Sequence, residues 1–114
     1  MKVKEVKALL DAVVETGEAL MDMEVKTACG SDMMSDVLAF VKEEGLLLTG
    51  LVNPQVVRTA EMMDIKVIVF VRGKVPSAEM IELAEERGMV LMRTQMPMYV
   101  ACGELYAAGL VPRK

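Results

Sequence analysis

Residues 46–59 read LLLTGLVNPQVVRT. A run of three leucines ends at Thr49-Gly50, Leu51-Val52 follows, and Asn53-Pro54 opens a segment with helical spacing. An uninterrupted apolar run of this length suits a central strand of a parallel sheet, covered on both faces. Asn53 is a good N-cap, and Pro54 suits the first helical position, where its missing N–H is not needed. The stretch therefore reads as strand, tight turn and crossover helix. It has neither the lysine and second glycine of a P-loop nor a G-x-G-x-x-G pattern. Gly50 permits the tight exit from the strand, and Asn53-Pro54 launches the helix.

The same grammar extends in both directions. KVIVFV (66–71) is a second near-continuous β-rich run, and MVLMR (89–93) a weaker third. EVKTAC (24–29) alternates, with Val25, Thr27 and Cys29 expected on one face of an edge strand. Between these runs lie punctuated helices. In 32–44, Met33, Val37, Phe40 and Val41 share a face, Ser31 can cap the start and Gly45 can stop the end. In 54–64 the buried face is Val56, Val57, Ala60 and Met63. Residues 78–87 follow Pro76 and a capping Ser77, bury Met80, Ile81 and Ala84, and stop at Gly88. Residues 97–108 start at Pro97 and stop at Gly109. A first helix covers about 3–11. The segment 12–22 is the least defined, with Ala12 to Glu15 readable as a short strand and Thr16-Gly17-Glu18 as a turn. Strand–helix alternation gives an α/β fold. We expect a three-layer α/β/α sandwich on a mostly parallel sheet of four to five strands, as one domain over 1–114, with a core at about 3–109 and a tail at 110–114.

Composition narrows the function classes. The chain has 114 residues, 54% of them hydrophobic, enough for a real core. The net charge is -4, with two Tyr and two Phe, so the basic face and stacking aromatics of a nucleic-acid binder are missing. No apolar run reaches the length of a membrane span. The start, MKVKEVKALL, continues into Asp11 and Glu15 and reads as a helix rather than a signal peptide, which gives a cytoplasmic expectation. Cys29 and Cys102 form no metal-ligand spacing and read as buried free thiols. With no histidine in the chain, Ser-His-Asp and Cys-His catalysis and histidine-ligated metals are excluded. No cofactor or metal is implied.

Ligands of open α/β sheets sit at the carboxyl ends of the strands. The polar residues expected there are Ser31 and Asp32, then Thr49, Gly50 and Asn53, then Arg72 and Gly73, then Arg93 and Thr94. Arginines, hydroxyls and helix N-terminal amides on one rim suit a small anion. The competing reading is structural, with Ser31, Asn53 and Ser77 as caps and Arg72 and Arg93 as solvated rim. Asp32 and Asp36, four apart, read as a solvated acidic helix face that continues toward Glu43 and Glu44 rather than as a cation site. Twelve methionines fit either a leucine-like core or a soft surface for a partner.

The path from ACGSDMM (28–34) through LLLTG, VIVFVRGKVPS and LMRT to the last helix resembles a DRTGG domain, over roughly residues 3–108. That family is similar to the N-terminal domain of HPr kinase/phosphorylase. It also occurs in some phosphate acetyltransferases, and between CBS domains of some family II pyrophosphatases. Thr49 and Gly50, and Gly73, Pro76 and Ser77, match its pattern well. The Asp-Arg pair behind the family's name is absent, and Leu51-Val52-Asn53-Pro54-Gln55 stands in its place. The resemblance implies an α/β/α fold like those of HPr kinase and some Mur ligase N-terminal domains, a regulatory rather than catalytic role, and self-association.

The expectation is then a stand-alone, non-catalytic regulatory or protein-interaction module, homodimeric or bound to a partner protein. The alternative is a sensor of a nucleotide or other phosphorylated anion, held by Ser31, Thr49, Gly50, Asn53, Arg72, Gly73 and Thr94.

Overall fold

The apolar runs become interior strands of one five-stranded sheet. The computed structural model describes residues 1–40 and 45–111. In chain order the elements are α1 (Val3–Leu10), β1 (Val13–Thr16), a 3-10 turn (Glu18–Leu20), β2 (Thr27–Gly30), α2 (Met34–Phe40), β3 (Gly45–Thr49), α3 (Pro54–Met62), β4 (Val67–Phe70), α4 (Ala78–Glu86), β5 (Val90–Arg93) and α5 (Met98–Ala107). The strands lie in the order β1-β5-β4-β3-β2. β2 to β5 are parallel, and β1 is antiparallel to β5. The architecture is the expected α/β fold with a mostly parallel sheet and flanking helices.

The topology follows from the crossovers. Each step from β2 to β5 advances one strand in the same direction, so crossovers of one hand place their helices on one face. Accordingly Val37 of α2, Val56, Val57 and Ala60 of α3, and Met80 and Ala84 of α4 pack with Leu47, Ile68, Phe70 and Leu91. The other face takes the two terminal helices. Val3, Val6 and Leu10 of α1 and Ala101 and Leu105 of α5 pack with Leu46, Leu48, Val67, Val69, Val90 and Met92. Every residue of β3 and β4 is buried. At about 1.5–3 kcal/mol for each large side chain removed from water, these central strands dominate the stability.

The caps are largely as read. The Asn53 side chain accepts from the Gln55 amide at 2.8 Å, with Pro54 in the first turn. Ser77 accepts from Met80 N at 3.3 Å. Gly88 and Gly109 follow α4 and α5 with positive φ. The short strand read at 12–15 is β1, shifted by one residue.

Several local expectations are corrected. Helix α2 starts later than read, because the Ser31 hydroxyl accepts from Met33 N and forms an approach turn instead of capping the helix. Met33 is therefore left 61% exposed, off the buried face, and Asp32 lies outside the helix that was to align it with Asp36. Val25 and Cys29 do not share a face, because β2 begins only at Thr27. Val25 joins the α1/α5 core, and Cys29 leans on the other one. Gly45 is the first residue of β3, paired with Thr27. Val41, Glu43, Glu44, the Phe40 side chain and the end of the tail (112–114) lie outside the described residues. The methionines divide. Met80, Met89 and Met92 are buried, while Met33 and Met62 stand in solvent.

Candidate functional site at the carboxyl ends of the strands

Adjacent strands whose outgoing loops diverge to opposite faces open a crevice at their carboxyl ends, and that is where α/β sheets bind ligands. Here β4 leads to α4 on one face, and β5 leads to α5 on the other. The crevice between them is closed by main chain. Arg72 N donates to Met96 O at 2.9 Å, and Gly73 N donates to Thr94 O at 2.8 Å. The turn at the end of β4 has Arg72 at φ 57 and Gly73 at φ 70, with Lys74 N donating back to Val71 O at 3.2 Å. Two consecutive positive φ values define a type I′ turn, which favours Asn-Gly. Arginine in the first of these positions carries about 1–2 kcal/mol of backbone strain. A side chain at Gly73 would strike the Gln95 amide, whose oxygen would lie 2.7 Å from the added carbon.

Thr94 is also committed. The residue is 2% exposed, and its hydroxyl donates to Leu10 O at 2.6 Å and accepts from Met96 N at 3.2 Å. Arg93 turns to the opposite edge and pairs with Glu15. Ser31 serves its approach turn and Asn53 its cap. None of these four side chains is directed at a shared ligand position.

Three groups do converge, and they converge on Asp32. Its Oδ1 accepts from Gly50 N at 2.6 Å and from the Thr49 hydroxyl at 3.1 Å. Its Oδ2 lies 3.9 Å from a terminal nitrogen of Arg72. Thr49 Oγ1 also accepts from Leu51 N at 3.1 Å, which fixes the hydroxyl's direction. An added Cβ at Gly50 would stand 3.4 Å from the guanidinium and 3.5 Å from both carboxylate oxygens, which are ordinary contact distances. Gly50 is also not among the glycines with positive φ, so the expected need for glycine at this strand exit is not met in the structure. The arrangement is an oxyanion receptor made of one main-chain N–H, one hydroxyl and one guanidinium. The anion it holds is the protein's own. Both charged side chains are about half exposed, 58% for Arg72 and 47% for Asp32, so this ion pair contributes only about 0–1 kcal/mol.

Sequence reasoning placed Asp32 at the right strand end but left it out of the expected ligand contacts. The signal that could have promoted it is its position, two residues past β2 and level with Thr49-Gly50 one strand over.

Among the described residues, no group of three or more Cys, Asp or Glu could hold a metal ion. A hollow of about 300 Å³ lies at the opposite end of the sheet, beside Glu24, Asp64 and Lys66, and includes none of the rim residues. No helix among the described residues is long and apolar enough to cross a membrane.

No family model matches the chain, and no curated protein matches it. Among solved structures, it is similar to the crystal structure of the CBS and DRTGG domains of the regulatory region of Clostridium perfringens pyrophosphatase, complexed with the activator diadenosine tetraphosphate. The TM-score is 0.77 at 17% identity, over 97% of this chain and 47% of that one. The chain thus spans about half the length of that structure, and the likeness is one of fold.

Proposed function

We propose that this chain is a non-catalytic regulatory module that works by pairing with a second copy of itself. The observation that carries the reading is the outer face of α5. Tyr99 is 90% exposed, Tyr106 62% and Val100 42%. With Cys102, Gly103 and Ala107 they line an open groove of about 550 Å³. Glu104, which also lines the groove, is the one charged residue of helix α5. Ala101 and Leu105 are buried beneath, and a helix so largely apolar normally has cover on more than one side. A second hollow of about 200 Å³ at the sheet edge, beside Ala28 and Gly30, shares Cys102 and Tyr106 with this groove. An isologous pair places the same patch against itself, and two exposed tyrosines are typical anchors of such a contact. The occurrence of the fold in the regulatory region of a pyrophosphatase is consistent with this role.

The test is sedimentation equilibrium between about 1 and 100 µM, a range that brackets a micromolar self-association. We expect a dimer that the double variant Tyr99→Glu, Tyr106→Glu converts to a monomer with an unchanged melting temperature. A monomer at the top of the range sinks the proposal.

A second reading has its own support. The convergence of Thr49, Gly50 and Arg72 on one carboxylate, and the nucleotide activator in the pyrophosphatase structure, favour a sensor of a small phosphorylated anion at the rim. In that reading the contacts reduce to Thr49, Gly50 and Arg72, since Ser31, Asn53, Gly73 and Thr94 are engaged in local turns, caps and loop bonds. A ligand that binds only the native state raises the unfolding midpoint, and above Kd the shift keeps growing with the logarithm of ligand concentration. Thermal unfolding against phosphorylated metabolites therefore tests the reading, and Arg72→Ala should abolish any shift.

A further inference from the structure

We propose that Asp32 is an intramolecular latch on the rim, and that the rim takes one phosphoryl group of a small molecule only when this carboxylate swings out. The proposal rests on the second reading above and deepens it by supplying the regulation of that site.

Four features support it. The donors come from two different strand ends, β3 and β4, yet meet on a single carboxylate. A carboxylate and a phosphoryl oxygen make the same demand on an N–H, a hydroxyl and a guanidinium, so one can replace the other. The two compete because they need the same donors, and their like charges add a repulsion. Finally, the Asp32 side chain is 47% exposed and sits on a short turn outside any helix. It can reach water by side-chain rotation, without unfolding an element. The main chain of Arg72 is tied to the neighbouring loop by Arg72 N to Met96 O and Gly73 N to Thr94 O, so the residue's anchor point stays at the rim while the latch opens.

The latch sets a threshold. A tethered group competes at an effective concentration in the millimolar range or above. The apparent affinity for free phosphate is therefore lowered by the fraction of molecules in which the latch is open, whereas a ligand with further contacts overcomes that factor at lower concentration. Asp32→Ala removes the competitor and leaves all three receptor groups. Asp32→Asn keeps an acceptor for Gly50 and Thr49 without the charge, and it serves as the folded control.

The experiment is titration of the ¹⁵N-labelled chain with sodium phosphate at constant ionic strength, read at the Gly50 amide resonance. We expect no saturation in the wild type below about 10 mM. We expect binding at least tenfold tighter in Asp32→Ala, lost again in Asp32→Ala, Arg72→Ala. Asp32→Ser substitutes for Asp32→Ala if the latter does not fold. A folded, latch-free variant whose Gly50 resonance does not respond overturns both the latch and the anion reading of the rim. A wild type that binds as tightly as Asp32→Ala overturns the latch alone and leaves the anion reading standing.

Discussion

The Thr94 hydroxyl donates to the carbonyl of Leu10 at 2.6 Å across 84 residues of chain, inside the protein. Leu10 ends α1, and its carbonyl is one of the four that a helix cannot satisfy internally. Thr94 follows β5, so a single side chain fastens the first helix to the last strand. Thr94→Val keeps the volume but strands the buried carbonyl. The expected cost is about 1–3 kcal/mol, or roughly 4–8 °C in melting temperature for each kcal/mol. Urea unfolding should show a lower midpoint at an unchanged slope, and Thr94→Ser should recover most of the loss. If Thr94→Val is neutral, water satisfies the carbonyl and the clamp is not structural.

Arg72 offers a gain rather than a loss. Its φ of 57 suits asparagine, which tolerates the left-handed region. Its 3.9 Å pair with Asp32 is half exposed and contributes little. Arg72→Asn should therefore raise stability by about 0.5–1 kcal/mol, while weakening phosphate binding in the Asp32→Ala background. A destabilised Arg72→Asn would show that the pair outweighs the strain.

Much of the fold was legible because its determinants are local. Asn53-Pro54, Ser77 and Gly88 act within a few residues, and the apolar runs at 46–49 and 66–71 announce their own burial. The edges were less legible because they depend on distant partners. In β1 the register shifts between Val14 and Thr16 against β5. Such an irregularity re-aims a side chain, here Glu15 toward Arg93, and nothing in VVET signals it. The segment 21–25 is ordered by α1, with Val3 N donating to Met23 O and Lys4 N to Met21 O, both at 2.9 Å. Lys4 also pairs with Asp22 at 3.0 Å, a hydrogen bond and charge that hold the Asp22 carboxyl below its ordinary value. For the rim, residue types named the neighbourhood but not the geometry. Thr94 and Arg93 belong to the right loop, yet they face other partners, and Asp32 becomes significant only once β2 and β3 are paired.

The two thiols supply a pH prediction. Both cysteines are free but only partly buried, not fully buried as expected. That partial burial raises both, and Cys29 is raised further by Cys102 and Asp36. A thiol raised in the folded state ionises more readily in the unfolded chain. Its stabilising effect is complete below the ordinary value of 9.0 and is lost as pH climbs through the raised value. Stability should therefore decline above about pH 9, and Cys29→Ala, Cys102→Ala should flatten that decline. At pH 7 a thiol-specific reagent should modify the native protein more slowly than the unfolded chain, because the thiolate is the reactive form. Equal rates would mean that the thiols are freely ionised and solvated.

Two glycines with similar backbones should respond very differently to alanine. Gly88, at φ 65, ends α4 in open space, with nothing within 4 Å of an added Cβ. Gly88→Ala then costs only the left-handed penalty, about 1–2 kcal/mol. Gly17, at φ 93, follows β1, where an added Cβ would stand 2.8 Å from Val90 Cα and 3.0 Å from Met89 O. Those atoms are main chain at the start of β5, the strand that β1 pairs with, so they cannot rotate aside. Gly17→Ala must pay the same backbone penalty and also push β1 from the sheet. It should therefore exceed Gly88→Ala by at least about 1–3 kcal/mol, the usual scale of overpacking. Chemical denaturation of both variants measures the difference. Amide exchange should place the extra loss in β1, with faster exchange at Val14 and Thr16. Equal costs for the two substitutions would show that β1 yields freely and is no fixed part of the sheet.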